Sequence, residues 1–510
     1  MTHTQSQPGT LKHITFWPAL IAMLSALTLI AVDQARFVQI TAALNALLID
    51  RLSFLFLYTA LGLLLLCVVV FFSPLGGVRI GGEGATRIYS PFRWFSVSLT
   101  AVIAMGILFW AVAEPVVHFH EPPGFSGARP GSDAALHFAL STVFVHWTLA
   151  PYAIYTVTAL TFALGFHNRG YDFSVDALLR PLFGDRLGGR TGELVDALVL
   201  FSVVVGMSAV LSGGLLLIGD GLRVLFGQPK SPLVYALIST FIVGAALLSA
   251  SSGLRGGIQL LARLNTVLFI ALLIYLLAVG PGAFILRLGG ESLGDYLGDF
   301  FARHLMSHEP ATSRWSGWWT TAFFASWFAW APLSCLFLGK IARGYTVRQF
   351  VLVNLLLPSL FSVVWFSTFG ASALFYDVQD HGALYQIYKT EGLAAMAYQL
   401  FSYLPGSFLL GLFFIFACLI SFITAADSNT DVIGGLCTRA VTAGEMNSPF
   451  AIKFLWALVI GAVGWGSATY LGVDGIKMLA NLAGVPGLFI VLGSAGGLIL
   501  MMLQTRRLKR

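Results

Sequence analysis

Apolar runs of about twenty residues recur along the whole chain with little charge between them, and they leave few architectures open. Each is long enough to cross the hydrocarbon of a bilayer as an α-helix, the form that satisfies its own backbone hydrogen bonds there. Barrel strands would alternate over segments of roughly ten residues, whereas these runs are continuous. Charged residues make up 10% of the 510 residues against 57% hydrophobic, and a soluble chain carries roughly 25% charge. That little charge cannot cover a water-exposed globule, so soluble enzymes and nucleic-acid binders are excluded. Disorder is excluded too, because long apolar runs find burial. The fold class is an all-α polytopic membrane protein.

Twelve transmembrane spans are expected, near 14–32, 53–73, 93–116, 135–165, 194–226, 232–250, 257–285, 315–339, 350–375, 404–436, 450–472 and 475–503. An even count puts both termini on one face. With that face cytoplasmic, 19 of the 29 Lys and Arg fall inside and 10 outside, the asymmetry expected of cytoplasmic termini. The net charge of +6 therefore records orientation more than a partner. The first run is too long for a signal-peptide core and lacks an A-x-A site, so it reads as a retained helix. Both tails are short, and the basic stub Arg506, Arg507, Lys509 and Arg510 is either a topology signal or a contact for anionic membrane lipids. Cys67, Cys335, Cys418 and Cys437 form no CxxC, so neither a disulfide framework nor a zinc site is implied. Residues 286–312 mix Arg287, Leu288, Leu293, Tyr296, Leu297, Phe300 and Phe301 at helical spacing. They predict an amphipathic helix, either on the membrane surface or packed on the bundle. A second such segment is expected within 380–402.

Function in such a bundle concentrates where polar, aromatic or helix-breaking residues interrupt the apolar pattern. In span 3, Ala104 and Gly106 permit close approach of a helix or a ligand, and Glu114-Pro115 ends the span with a carboxylate and a kink. In span 4, His146-Trp147 precedes Pro151, Tyr152 and Tyr155. On a regular helix Trp147, Tyr155 and Tyr152 project at roughly 0°, 80° and 140°, in one sector. In span 8, five of the twelve tryptophans lie within sixteen residues, and Phe323, Phe324, Trp327 and Trp330 share one arc. Indole faces attract cations, and a quaternary ammonium offers no hydrogen bond, so a cage of aromatic faces is its natural receptor. In span 10, Thr424, Asp427 and neighbouring hydroxyls either meet water at a helix end or line an ion pathway. Arg263, a turn or two into span 7, either snorkels to the inner surface or places a fixed charge near a coupling cation.

Together these segments resemble the betaine/choline/carnitine transporter family over nearly the whole chain. The resemblance is strongest in Trp327-Phe-Ala-Trp330-Ala-Pro332 followed by Lys340-Ile-Ala-Arg343-Gly344. Phe109-Trp110 to Glu114-Pro115, His146-Trp147 to Tyr155, and Ile423 to Ser428 support it. The resemblance implies a leucine-transporter-type fold: two inverted five-helix repeats, spans 3–7 and 8–12, preceded by two extra helices. Domain boundaries would then fall at 1–92, 93–285, 286–312, 313–503 and 504–510, with spans 3 and 8 ending in proline steps at Pro115 and Pro332. It further implies a homotrimer in the cell inner membrane. A substrate box of Trp147, Tyr152, Tyr155 and Trp327 would have Trp330 as a second, more cytoplasmic station, with the substrate carboxylate near Ala104 and Gly106.

The chain departs from the family pattern in telling places. Tyr152 stands where the family commonly has tryptophan, and Ser326 where it often has another. Val102-Ile-Ala104-Met-Gly106 replaces G-x-G-x-G and carries no aspartate of the kind choline-specific relatives often have, which favours a betaine-like onium zwitterion over choline. Carnitine and dimethylsulfoniopropionate stay open as substrates. Sodium-coupled members line one site with span-10 hydroxyls; here Thr424 remains but Ala425 replaces the adjacent serine. Loss of an oxygen ligand weakens a hard-cation site, so coupling to protons or exchange is expected ahead of sodium. No cofactor is expected. A membrane metalloenzyme, built on His118-Phe-His120-Glu121, is the remote alternative, weakened by the lack of H-E-x-x-H. One outcome tests the coupling reading directly. External sodium should change initial uptake by less than about twofold, and a steep, saturable sodium requirement would overturn the loss of the site.

Overall fold

The computed structural model describes residues 10–102, 106–187, 189–251, 255–310, 313–438 and 449–507. The chain begins with α1 (His13–Val32) and a long α2 (Gln34–Phe72). The third expected span comprises α3 (Pro91–Val102) and α4 (Gly106–His120). The fourth is α5 (Asp133–Trp147) and α6 (Leu149–Arg169), broken at Thr148. A short α7 (Arg180–Phe183) leads to α8 (Arg190–Phe226), α9 (Pro232–Ser251) and α10 (Arg255–Val279). Then α11 (Gly282–Gly298) and α12 (Phe300–Leu305) cross to α13 (Ala322–Lys340), which is entered through a π-helical turn, Gly317–Thr321. The rest is α14 (Val347–Val351), α15 (Leu357–Gln379), α16 (Ala383–Glu391), α17 (Met396–Ser402), α18 (Ser407–Cys437), α19 (Phe450–Tyr470) and α20 (Gly472–Leu503).

Among the described residues ten helices are long and apolar enough to cross a membrane, or eleven if one bent pair counts as a span. In that pair, Gly282–Gly298 turns 107° from Leu264–Val279. The turn falls at Gly280-Pro281, a few residues before the expected end of span 7, because proline disfavours helix in the residue before it. The amphipathic segment therefore starts at Gly282, and Ile285, Leu288, Ser292 and Tyr296 form its buried stripe against α5 and α15. Leu286 and Leu297 on its other side are exposed. The same exposure runs along the outer faces of the long helices, at Phe54, Val69, Phe241 and Phe413. Buried polar groups such as Glu114, His146 and Asn481 lie inside. Apolar outside and polar within is the distribution suited to a lipid solvent.

The prolines behave differently from expectation. Pro115 and Pro332 do not end their spans; α4 continues to His120 and α13 to Lys340. Each proline removes one N–H, which releases the carbonyl four residues earlier. For Pro332 that carbonyl is Phe328, and it faces Gly487 of α20 so closely that a Cβ there would collide with it. For Pro115 it is Ala111, and a Cβ on Gly370 of α15 would lie 3.5 Å from that oxygen and 3.2 Å from the Pro115 ring. Both released carbonyls thus meet a side-chain-free stretch of a neighbouring helix, where Cα–H donors approach closely. Gly487→Ala should cost at least about 1–3 kcal/mol by overpacking, read as a lower thermal midpoint of the purified protein. An unchanged midpoint would mean that α20 does not seat against α13 in this way.

Candidate substrate site

The Trp327 indole, on α13, is the point on which three other rings converge. Trp147 lies at 5.9 Å between centroids, Tyr152 at 5.2 Å and Tyr155 at 5.1 Å. All four side chains are buried. The sequence projection assumed a regular helix, but the chain breaks at Thr148 (φ −119°, ψ −117°). Pro151 sits in the first turn of α6, where its missing N–H costs nothing. The rings still converge, since Trp147 reaches from the last residue of α5 while Tyr152 and Tyr155 stand on one side of α6. The Tyr152 hydroxyl meets Ser362 of α15 at 2.9 Å. Centroid spacings of this kind are ring-on-ring contact, and the rings pack edge-to-face or tilted against Trp327 in this conformation.

Trp147 is held on every side. Its indole rests on the backbone of Gly106, where a Cβ would come within 2.6 Å of the ring. It stacks on Phe366 at 5.2 Å, and its Nε1 donates to Glu114 Oε2 at 2.7 Å. The other Glu114 oxygen accepts from His146 Nδ1 at 2.5 Å, which leaves His146 Nε2 to accept from the Thr320 hydroxyl at 2.9 Å. Thr320 belongs to the π-helical turn, and its neighbour Thr321 meets Ser53 of α2 at 2.6 Å. A single carboxylate therefore ties α4, α5 and the entry to α13 together behind the cage. Sequence reasoning took Glu114 only as a span terminus. The signal for more was a carboxylate inside apolar helix, which needs internal partners.

The remaining candidates separate from this cluster. Trp330, although on the same arc of α13, lines a small apolar cavity of about 30 Å³ with Met207, Phe422, Ala425 and Thr430. That is room for a water or two. Thr424 is half-buried and its hydroxyl donates to Ile420 O at 2.8 Å within its own helix. Ala104 and the side chains of Arg263 and Asp427 lie outside the described residues. The alternative metal cluster does not assemble. His118 lies 3.5 Å from Glu114, while His120 pairs with Asp377 at 2.5 Å and Glu121 with Lys389 at 2.5 Å. Residues two apart on a helix point to opposite sides. Glu114, His118 and His146 do place ligand atoms within 4.8 Å of one another. Both Glu114 oxygens, however, already take hydrogens from His146 and Trp147.

Removing the carboxylate leaves two buried donors unpaired, at about 1–3 kcal/mol each. Glu114→Ala should therefore lower the thermal midpoint and weaken onium binding by at least about tenfold. Binding unchanged in a folded Glu114→Ala protein would mean that Gly106 and Phe366 suffice to hold Trp147.

Comparison with known proteins places this geometry in context. The family model described as BCCT, betaine/carnitine/choline family transporter, matches residues 14–507. The chain is 30% identical to the glycine betaine transporter OpuD of Bacillus subtilis, over 86% of this chain and 85% of that protein. It is 30% identical to glycine betaine transporter 1 of Vibrio parahaemolyticus, over 87% and 84%. It is 29% identical to the high-affinity choline transport protein of Escherichia coli, over 85% of this chain and 64% of that protein. Coverage this complete, with the aromatic cluster in place, makes the chain a member of the betaine/carnitine/choline transporter family.

Proposed function

We propose that this protein is a secondary active transporter of betaine-like onium zwitterions, working by alternating access. As a member of a transporter family it moves its ligand and makes no bond. One observation carries the substrate reading: Trp147, Tyr152 and Tyr155 all meet Trp327. For a methylammonium group to enter, these rings must part, since they now pack edge-to-face and tilted against one another. The driving force is cation–π attraction in a water-poor site, up to about 2 kcal/mol or more. The relatives named for glycine betaine support the same substrate class.

The zwitterion's other end follows from Gly106. It carries no side chain, so a small carboxylate can approach the backbone there. Trp147 lies against the same residue. An onium group on Trp147 and a carboxylate at Gly106 would be neighbours, within the reach of one small zwitterion. Choline, the substrate in the Escherichia coli relative's name, is the second reading; it brings no carboxylate to that place. The ligand then leaves past Trp330.

The finer architecture belongs to the same proposal. Twelve spans, with 3–7 and 8–12 as inverted repeats, would follow from pairing α3 with α4 as one crossing and letting α10 cross by itself. Both termini would be cytoplasmic in the cell inner membrane, and trimer contacts would use the exposed face of α11. Thr424 without a hydroxyl at Ala425 supports coupling to protons or exchange ahead of sodium, and Arg263 and Asp427 are further coupling candidates. Trp327→Ala should cost roughly 30-fold or more in affinity for glycine betaine and much less for a primary amine, which needs hydrogen bonds. Thermal stabilisation against glycine betaine, choline, carnitine and dimethylsulfoniopropionate, with and without sodium, measures this. Equal losses for both ligand types, or no stabilisation by any onium compound, would refute the cage.

A further inference from the structure

Above the cage the structure holds a cation of its own. Lys477, one turn into α20, is buried, and its ammonium sits 3.4 Å from the centroid of the Trp319 ring and 5.4 Å from that of Trp110. These two rings are the outer end of a continuous aromatic path. Trp319 and Trp110 lie 6.0 Å apart, Trp110 lies 5.1 Å from Phe323, and Phe323 lies 5.1 Å from Trp147 of the cage. Lys477 also lines a cavity of about 190 Å³ with Trp319, Val117, Tyr388, Leu393 and Asp474. Among the described residues no carboxylate lies within ion-pair distance of its ammonium. Asp474 shares the cavity, and the other nearby cation, Lys389, is taken by Glu121 at 2.5 Å.

A lysine placed this way does two things to an arriving solute. Its ammonium covers the indole faces that an onium cation would otherwise visit on the way in. It also puts a positive charge with open N–H donors into a partly enclosed space, where charge–charge effects exceed those in bulk water. A monocation such as choline meets the repulsion of this ammonium with nothing to offer its donors, and Asp474 is the counter-charge that lines the same cavity. A zwitterion presents a carboxylate, which takes the ammonium's donors and can draw it away from Trp319.

We infer that Lys477 is a specificity-determining residue. It receives the carboxylate of an incoming zwitterion at an outer station and turns away cations that lack one. This deepens the transport reading above and rests on it.

The experiment is radiolabelled glycine betaine uptake into proteoliposomes, with unlabelled choline as competitor, for the wild type, Lys477→Met, Lys477→Arg and Asp474→Asn. Lys477→Met keeps the apolar stem and removes the charge. Choline should then compete at least about tenfold better relative to glycine betaine, with the KM for betaine raised more than the maximal rate is lowered. Lys477→Arg should keep the wild-type ratio. Asp474→Asn strengthens the positive field and should move the ratio the opposite way, which tests the idea even if Lys477→Met fails to fold. A choline-to-betaine ratio unmoved in Lys477→Met, or in Asp474→Asn if that is the folded variant, would overturn the inference and leave the transport reading intact. A wild-type protein that carries neither compound would defeat the transport reading itself.

Discussion

Every feature of this protein depends on one constraint: backbone and side-chain polar groups inside an apolar solvent must find partners within the chain. The helices meet it for the backbone, and the exceptions show where it shapes the architecture. Pro115 and Pro332 each release a carbonyl in the middle of a span, and each is met by a glycine of another helix, Gly370 or Gly487. What would be a break in an isolated helix becomes a place where a neighbouring helix comes close. The prolines therefore help to seat α4 against α15 and α13 against α20, the surfaces between which the aromatic residues are hung.

The same constraint explains the side chains behind the cage. An indole or imidazole N–H left unpaired in such an interior costs free energy, and Glu114 accepts from both Trp147 and His146. Since His146 in turn takes the Thr320 hydroxyl, the orientation of a ring at the end of α5 is set by a hydrogen-bond chain reaching the entry to α13. A carboxylate so placed is a positioning device. The faces of the aromatic cluster are apolar, while the rigidity of those faces is polar in origin. Lys477 shows the converse arrangement, a charge stabilised by aromatic faces at the edge of a cavity.

Much of this was legible beforehand, because membrane helices announce themselves through length and composition. The structure brings Trp147, Tyr152, Tyr155 and Trp327 of the family motifs into contact, although the regular-helix projection behind three of them ignored the break at Thr148. Trp330 was a harder case. It shares an arc with Trp327, yet faces a separate cavity beside α8 and α18, because residues on one arc of a helix meet different neighbours at different heights. His118 and His120 read as a cluster by proximity in sequence but were separated by helical geometry.

The sequence by itself determined that the chain is helical and lipid-embedded, which family it belongs to and which rings were candidates for a cage. These follow from local chemistry: apolar length, aromatic spacing and proline position act over one helix at a time. Only the tertiary structure decided that Glu114 orients Trp147, that glycines cap the carbonyls the prolines free, and that Lys477 lies over Trp319. Each of those joins residues far apart in the chain, and their pairing depends on which faces the packed helices turn to one another.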